Sequence, residues 1–380
     1  MEAWVEQLKK EYKLQDLPEF NNPIEGISYS FLDQTTLLTA WESRYLNTQK
    51  MATYSFHHVE ELATARAKLL HDLSHGCEGI LLTWDETPDL DQLFKDVHFE
   101  YLHTIVCLPI KVDLMPVLQW MDLNHPTNFR LETGIKELPI SHPSVGYVIS
   151  GFDAYSSGAN AWQELAYVCN FLEQFLARKT SREVTLEMGI GENLVVELAK
   201  FRALDWLVQA ICEQQQHFPS IKIRCKTGWR NKTSYRVNDN QIRQTLEAMC
   251  GFISGVQELC VTPYDFAYAK TGDFLVRRMA LNTVHILENE AELKDKRSYV
   301  QGSFIVQHHA HWLCDKVWSV LKSTSSENFE HQLQQEIENT NQLRKQQRSM
   351  ASEPIIESND FKEISGVYGG IGVYFQNLQA

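Results

Sequence analysis

The chain of 380 residues lacks several features that would assign it to common functional classes. No apolar run approaches the roughly 20 residues that a membrane-spanning helix needs, and the opening residues hold no signal-peptide core, so we expect a cytoplasmic protein with no membrane partner. Basic residues are the minority, with 35 Lys and Arg against 49 Asp and Glu. A formal charge of -14 repels phosphate backbones. We therefore expect no nucleic-acid partner.

Signals for metal, redox and dinucleotide sites are also scarce. The eight cysteines form no C-x-x-C pair and lie mostly in apolar stretches, which is typical of reduced, buried thiols. His308 and His311 share one helical face, but the pattern does not supply a full set of ligands, and we predict no metal site. The G-x-G-x-x-G turn of a doubly wound dinucleotide fold is missing.

What the sequence does contain is a regular alternation of two kinds of segment. From residue 40 onward, short β-rich apolar runs alternate with longer segments of helical periodicity, which indicates β/α units with parallel strands. We predict an α/β fold, a (β/α)8 TIM barrel at 39–322, preceded by an N-terminal arm at 1–38 that wraps a partner, and followed by a linker and C-terminal helical extension at 323–380. The eight predicted strands are 40–46, 79–84, 104–109, 129–133, 146–152, 185–190, 221–227 and 259–263.

Two segments of the predicted extension stand out. In the polar helix predicted at 327–344, Phe329, Leu333 and Ile337 recur every four residues and form a narrow stripe suited to lying along another surface. That helix either is solvated or contacts a partner. The apolar, Gly-rich stretch at 366–375 is expected to dock somewhere or to be disordered.

Three stretches resemble one family. Residues 146–159 have the sequence G-Y-V-I-S-G-F-D-A-Y-S-S-G-A and precede Q-E-L-A-Y at 163–167. Together they resemble a barrel strand and helix of the methylmalonyl-CoA mutase family. M-G-I-G-E-N-L-V-V-E-L-A-K-F-R-A-L at 188–204 resembles the next strand and helix. C-K-T-G-W-R-N-K-T at 225–233 resembles the non-catalytic small chains of that family.

Two departures from the family pattern bear on function. The family's catalytic chains carry Tyr-His where this sequence has Phe152 and Asp153, so the imidazole that would bond the substrate thioester carbonyl is missing. An ionised aspartate would repel the oxyanion that develops there. The cobalamin-binding module of the family supplies a histidine from a D-x-H-x-x-G loop, and no histidine follows His331 here. We predict no catalytic residue, only a degenerate site at Phe152 and Asp153, and no bound cofactor.

The resemblance implies a partner that carries the chemistry. In that interpretation the chain is the small subunit of a heterodimeric mutase, and a large catalytic chain holds adenosylcobalamin and interconverts methylmalonyl-CoA and succinyl-CoA. Loops after the seventh strand of a barrel often bind phosphate. The residues that would be remnant CoA contacts are Lys226, Trp229, Arg230 and Lys232.

Two other functions are compatible with the sequence. One is a stand-alone barrel enzyme that acts on a CoA thioester without cobalamin. Its acid and base would come from carboxylates on or near the strands, namely Glu132, Glu187, Asp265 and Asp273. The other is a homo-oligomeric module that binds acyl-CoA without turnover.

Overall fold

The strands of this protein form a closed barrel. The computed structural model describes residues 6–7, 9–10, 19–30, 43–46, 51–134, 142, 145–180, 182–233, 237–266, 273–293, 302–323 and 326–349. Its strands are β1 (Glu19–Asn22), β2 (Ile27–Ser30), β3 (Ala52–His58), β4 (Gly79–Thr83), β5 (His103–Leu108), β6 (Phe129–Gly134), β7 (Val145–Ser150), β8 (Val184–Ile190), β9 (Ile221–Thr227) and β10 (Glu258–Val261). Strands β3 to β10 pair in parallel around the closed barrel, and β1 pairs with β2 in an antiparallel hairpin. The predicted (β/α)8 barrel is confirmed.

Helices surround the barrel. They are α1 (Leu62–Ser74), α2 (Leu90–Leu93), α3 (Met115–Asn124), α4 (Gly151–Ser156), α5 (Ala161–Ala177), α6 (Leu194–Gln215), α7 (Asp239–Ser254), α8 (Phe274–His285, continued by a π-turn at Ile286–Glu290), α9 (Phe304–Ser323) and α10 (Ser326–Ser349). The start of α5 is fixed by a capping box, in which the Asn160 side chain accepts from the Gln163 amide and the Gln163 side chain accepts from the Asn160 amide.

The predicted first strand at 40–46 is wrong. Residues 43–46 form a bend, residues 40–42 lie outside the described residues, and the first barrel strand is β3. Tyr54 and Phe56 of β3 face the barrel interior, whereas Ser55 and His57 face the helices. There the Ser55 hydroxyl donates to Asp72 at 2.5 Å. Polar residues on this second buried face hide the apolar pattern expected of a strand covered on both sides.

Both terminal segments pack on the outside of the barrel at α5. In the hairpin, Ile24 and Ile27 are buried, and the Asn160 amide group donates to the Ile24 carbonyl at 2.9 Å. The apolar stripe of α10 joins the main hydrophobic core. The polar helix predicted at 327–344 therefore lies along its own barrel, while the wrapping of a partner by residues 1–38 stays a prediction. The Gly-rich stretch at 366–375 lies outside the described residues.

None of the helices in the described ranges is both long and apolar enough to cross a bilayer.

Candidate functional site

Phe152 and Asp153 lie at the carboxyl end of the barrel, where (β/α)8 enzymes place their active sites. Helix α4 begins at Gly151, directly after β7, so the chain turns sharply over the rim. A Cβ atom at Gly151 would lie 2.7 Å from Val168 Cγ2 and 3.2 Å from the Glu187 carbonyl oxygen. This close approach requires glycine, and it fixes the position of Phe152 over the barrel.

Four aromatic rings close this side of the barrel end. We call Phe56, Phe152, Trp229 and Phe266 the aromatic plug. The ring centroids of Phe152 and Trp229 are 4.6 Å apart, and those of Trp229 and Phe266 are 5.2 Å apart. Phe56 contacts Phe266 edge-on at 5.2 Å. Phe152 is only 2% exposed and Trp229 only 7%, so the rings that follow β7 and β9 are withdrawn from solvent.

A lysine side chain is inserted into this plug. The Lys226 Nζ lies 4.3 Å from the Phe152 ring centroid and 4.5 Å from that of Phe56. It also lies 3.7 Å from the Glu187 carboxylate. Ring faces and a carboxylate both attract an ammonium group. The Lys226 side chain is thus held within the plug by the Phe152 and Phe56 rings and by the Glu187 carboxylate.

Asp153 is half-buried beside this lysine. Burial and, to a lesser extent, the nearby Glu187 carboxylate raise the pKa of the Asp153 carboxyl to about 6, against the opposing effects of Lys226 and Ser150. The group therefore exchanges a proton near neutral pH.

Below the plug, charged side chains fill the barrel axis. We call Arg130, Glu132, Glu187, Arg224 and Glu258 the axial ion network. Arg224 donates to Glu132 at 2.7 Å and to Glu187 at 2.8 Å. Arg130 donates to Glu258 at 2.7 Å. Arg224 and Glu132 are fully buried. Barrels are more often filled with branched apolar side chains.

This network decides the role of two predicted acid/base candidates. Burial alone would raise the pKa of Glu132, but Arg224 and Arg130 outweigh it and lower that pKa to about 2. The pKa of Glu187 is also lowered, since Lys226 and Arg224 outweigh its burial. Both carboxylates are therefore permanent counter-ions. A general acid or base needs a pKa near the working pH, which these two groups do not have.

The other two carboxylate candidates lie near α8. Asp273 caps this helix and accepts from the Phe274 amide at 2.6 Å. Burial raises the pKa of Asp265, and Asp273 raises it further.

Sequence reasoning missed Arg130, Arg224 and Glu258. The available signal was their spacing, because Arg130 with Glu132 and Arg224 with Lys226 occupy alternate positions on strands otherwise rich in apolar residues. Alternate positions share one face of a strand. Charges on the inner face of several strands would then have to neutralise one another.

All four residues predicted to contact CoA already interact with other residues of this chain. Lys226 and Trp229 belong to the plug region. Arg230 donates to the Ala159 carbonyl at 2.6 Å, and its guanidinium lies 3.8 Å from the Tyr155 ring centroid. Lys232 is buried and pairs with Glu247. Contact with CoA stays a prediction, and it would require these groups to exchange their present partners.

The histidines of α9 have partners of their own. His309 Nδ1 lies 2.7 Å from the Ile305 carbonyl, and the His311 ring packs on Trp206 at 4.5 Å. Within the part of the chain that the structure describes, no group of three or more His, Cys, Asp or Glu side chains is arranged to hold a metal ion.

A small recess lies on the outer side of β3. It has a volume of about 110 Å³ and is bounded by His58, the start of α1 and Arg277. Pockets for drug-sized ligands typically measure about 300–1,000 Å³. This recess is too small for an acyl-CoA.

Comparisons with known proteins agree with the resemblance seen in the sequence. A methylmalonyl-CoA mutase small subunit from Porphyromonas gingivalis is 25% identical over 189 residues, which cover 46% of this chain and 30% of that protein. A methylmalonyl-CoA mutase from Rhizobium meliloti is 25% identical over 191 residues, covering 47% of this chain and 27% of the relative. The matches thus span less than a third of these relatives.

Among solved structures, a tryptophan synthase from M. tuberculosis covers 62% of this chain and 90% of its own, with 12% identity and a TM-score of 0.32. That likeness is too distant to bear on function. The sequence profile of methylmalonyl-CoA mutase matches residues 140–366, which is more than half of the chain and includes β7 to β10 with the Phe152 and Asp153 site. The chain therefore belongs to the methylmalonyl-CoA mutase family.

Proposed function

We propose that this chain is the small, non-catalytic subunit of a heterodimeric, adenosylcobalamin-dependent methylmalonyl-CoA mutase. In this proposal a separate large chain interconverts methylmalonyl-CoA and succinyl-CoA, and the present chain stabilises it. The observation that carries the proposal is the filled carboxyl end of the barrel, where Phe152, Trp229 and Lys226 pack together at the family's active-site position.

The barrel interior supports the same conclusion. Three carboxylates, Glu132, Glu187 and Glu258, face three cations, Arg130, Arg224 and Lys226. A substrate that entered the axis would have to separate these pairs, and leaving one ion buried without its partner is strongly unfavourable. The barrel interior is therefore occupied by side chains that pair with one another, which leaves none of these charged groups free for a substrate.

The residues at this barrel end do not fit adenosylcobalamin. The Phe56, Phe152 and Trp229 rings of the plug are buried and offer the corrin no open aromatic face to lie against. We therefore assign the cofactor to the large chain and derive no step through it here.

The relatives and the thiols support the proposed partner and compartment. One matched relative is itself a methylmalonyl-CoA mutase small subunit, and its counterpart would be a large catalytic chain. All eight cysteines of the present chain are free thiols, and five of them are buried. Reduced thiols suit a cytoplasmic complex.

Asp153 favours a second candidate, the stand-alone enzyme. Its carboxyl has a pKa of about 6 and lies at the carboxyl end of the barrel, which is where a general acid or base would be useful. An acid/base mechanism would also need a second group whose pKa lies near neutral pH. The pKa values of the Glu132 and Glu187 carboxyls are both lowered, which weakens this alternative.

Reconstitution separates the two candidates. We would mix this chain, as wild type or as Asp153→Asn, with the large mutase chain and adenosylcobalamin, and measure succinyl-CoA formation together with complex assembly. The proposal predicts equal assembly and equal turnover for the two forms. Loss of turnover in Asp153→Asn at full assembly, or turnover by this chain alone, would contradict it.

A further inference from the structure

Three neighbouring helices expose large apolar side chains near their starts. In a (β/α)8 barrel each helix follows the carboxyl end of its strand, so these starts lie at the same end of the barrel. The exposed side chains lie in the first turns of α6 and α8 and in the first half of α7. We call them the rim patch: Leu194 at 38% exposure, Ile242 at 65%, Leu246 at 53%, Phe274 at 45% and Leu275 at 63%.

The rim patch is an arc along one side of the barrel. Its helices follow β8, β9 and β10, which are hydrogen-bonded neighbours, and α7 packs against both α6 and α8. Packed helix axes lie about 8–10 Å apart, so the patch extends over roughly 20 Å. Large apolar side chains exposed on neighbouring helices mark a place where another segment or molecule binds.

Helix α10 brings the chain to the same end of the barrel. Near its end, Arg344 donates to the Gly158 carbonyl at 2.6 Å, and Gly158 lies between α4 and α5 on the carboxyl rim. Helix α10 ends at Ser349, five residues later, which is about 8 Å of helix. Helix α5 packs against α6, the first helix of the patch.

An apolar segment follows in the sequence. Residues 367–375 are V-Y-G-G-I-G-V-Y-F, with six large apolar or aromatic side chains and no charge. The 17 residues at 350–366 can bridge at most about 60 Å when fully extended, which exceeds the width of the patch. The segment therefore has both the reach and the composition to cover the exposed side chains.

We propose that residues 367–375 dock in cis on the rim patch of α6, α7 and α8. Its valine, isoleucine and aromatic side chains cover Ile242, Leu246 and Leu275, and its glycines let the backbone approach the helices closely. Burial of this apolar surface drives the contact. The proposal concerns this chain alone, so it stands or falls independently of the mutase assignment.

Site-specific photo-crosslinking of the full chain tests the docking. A benzophenone amino acid at position 242 is expected to cross-link to a peptide within 367–375, at the mass of a single chain. The matched control is position 123, because Leu123 is 81% exposed but lies in the last turn of α3, at the opposite end of the barrel. No cross-link to 367–375 is expected from there.

A second variant checks that the segment's side chains make the contact. Replacing Tyr368, Tyr374 and Phe375 by serine should abolish the cross-link from position 242 while far-UV circular dichroism shows that the chain remains folded. The proposal is overturned if position 242 does not cross-link to 367–375 within one chain. It is equally overturned if the cross-link joins two chains or another protein.

Discussion

Arg224 lies on the barrel axis, fully buried, with carboxylates of Glu132, Glu187 and Glu258 around it. A buried ion pair adds little stability compared with well-packed apolar residues, but removal of one partner leaves an uncompensated charge in the core. The network therefore makes the barrel intolerant of single changes. Because the cations of the network lower the pKa values of Glu132 and Glu187, these two carboxylates are not suited to act as a general acid or base.

Replacing Glu132 by alanine tests this directly. We expect the free energy of unfolding to fall by about 3–5 kcal/mol, since Arg224 and Arg130 lose a buried partner. Glu183 is the matched control, because its side chain is 28% exposed and pairs with Lys222 and Arg130. Glu183→Ala should cost less than about 1 kcal/mol. Urea unfolding measures both values, and equal losses for the two variants would argue against the network.

A second buried cluster joins α5 to α6. The Lys200 ammonium pairs with Glu164 at 2.7 Å and with Glu197 at 2.5 Å, and all three side chains are buried. Two carboxylates share one cation, so one of them is poorly compensated. Burial raises the pKa of Glu164 to about 7, with Glu197 raising it and Lys200 lowering it.

This shift predicts a pH dependence of stability. Between pH of about 4.5 and about 7 the folded chain holds a proton on Glu164 that the unfolded chain has released, so the stabilising contribution is lost as pH rises toward 7. Glu164→Gln keeps a neutral side chain at all pH values. Relative to that variant, wild type should lose free energy of unfolding between pH 5 and pH 8. A difference that stays constant with pH would rule this mechanism out.

At the residue scale the sequence was only partly informative. It identified Phe152, Asp153 and Lys226, which do lie together at the barrel end. It could not show that Glu132 and Glu187 are counter-ions. Their shared partner, Arg224, is 92 residues from Glu132 in the chain, and only the closed barrel brings them together.

Some strands and helices could be predicted from nearby residues in the sequence, and others could not. Seven of the eight predicted strands match β4 to β10 to within about two residues, because apolar runs and capping residues mark their limits. The first strand was missed because Ser55 and His57 are buried by long-range bonds to Asp72 and Arg277. Tyr45, in the segment predicted instead, packs into the core, and its amide donates to Asp205 at 2.8 Å.

Helix α10 gives a prediction at this scale. Leu333 is 4% exposed in the main core, so Leu333→Ala should lower the free energy of unfolding by about 2–5 kcal/mol. Leu343, on the same helix but 38% exposed, is the control, and Leu343→Ala should cost far less. Thermal unfolding of both variants provides the comparison. Similar, small losses would mean that α10 is not part of the barrel core.

For the whole molecule, periodicity alone predicted the closed barrel, whereas its filled interior depends on side chains contributed by every part of the sheet. The family match covers residues 140–366 and so includes β7 to β10, whereas Phe56 of β3 and the Arg130 and Glu132 side chains of β6 lie before it. A barrel with ion pairs along its axis and aromatic rings packed at its carboxyl end is suited to the supporting role that we propose.

The most direct test is size-exclusion chromatography with light scattering on a mixture of this chain and the adenosylcobalamin-loaded large mutase chain, with every fraction assayed for succinyl-CoA formation. We predict one species whose mass equals one copy of each chain, with turnover in that species and none in this chain alone. Elution of this chain apart from the large chain at every mixing ratio, or unaided turnover by it, would contradict the account.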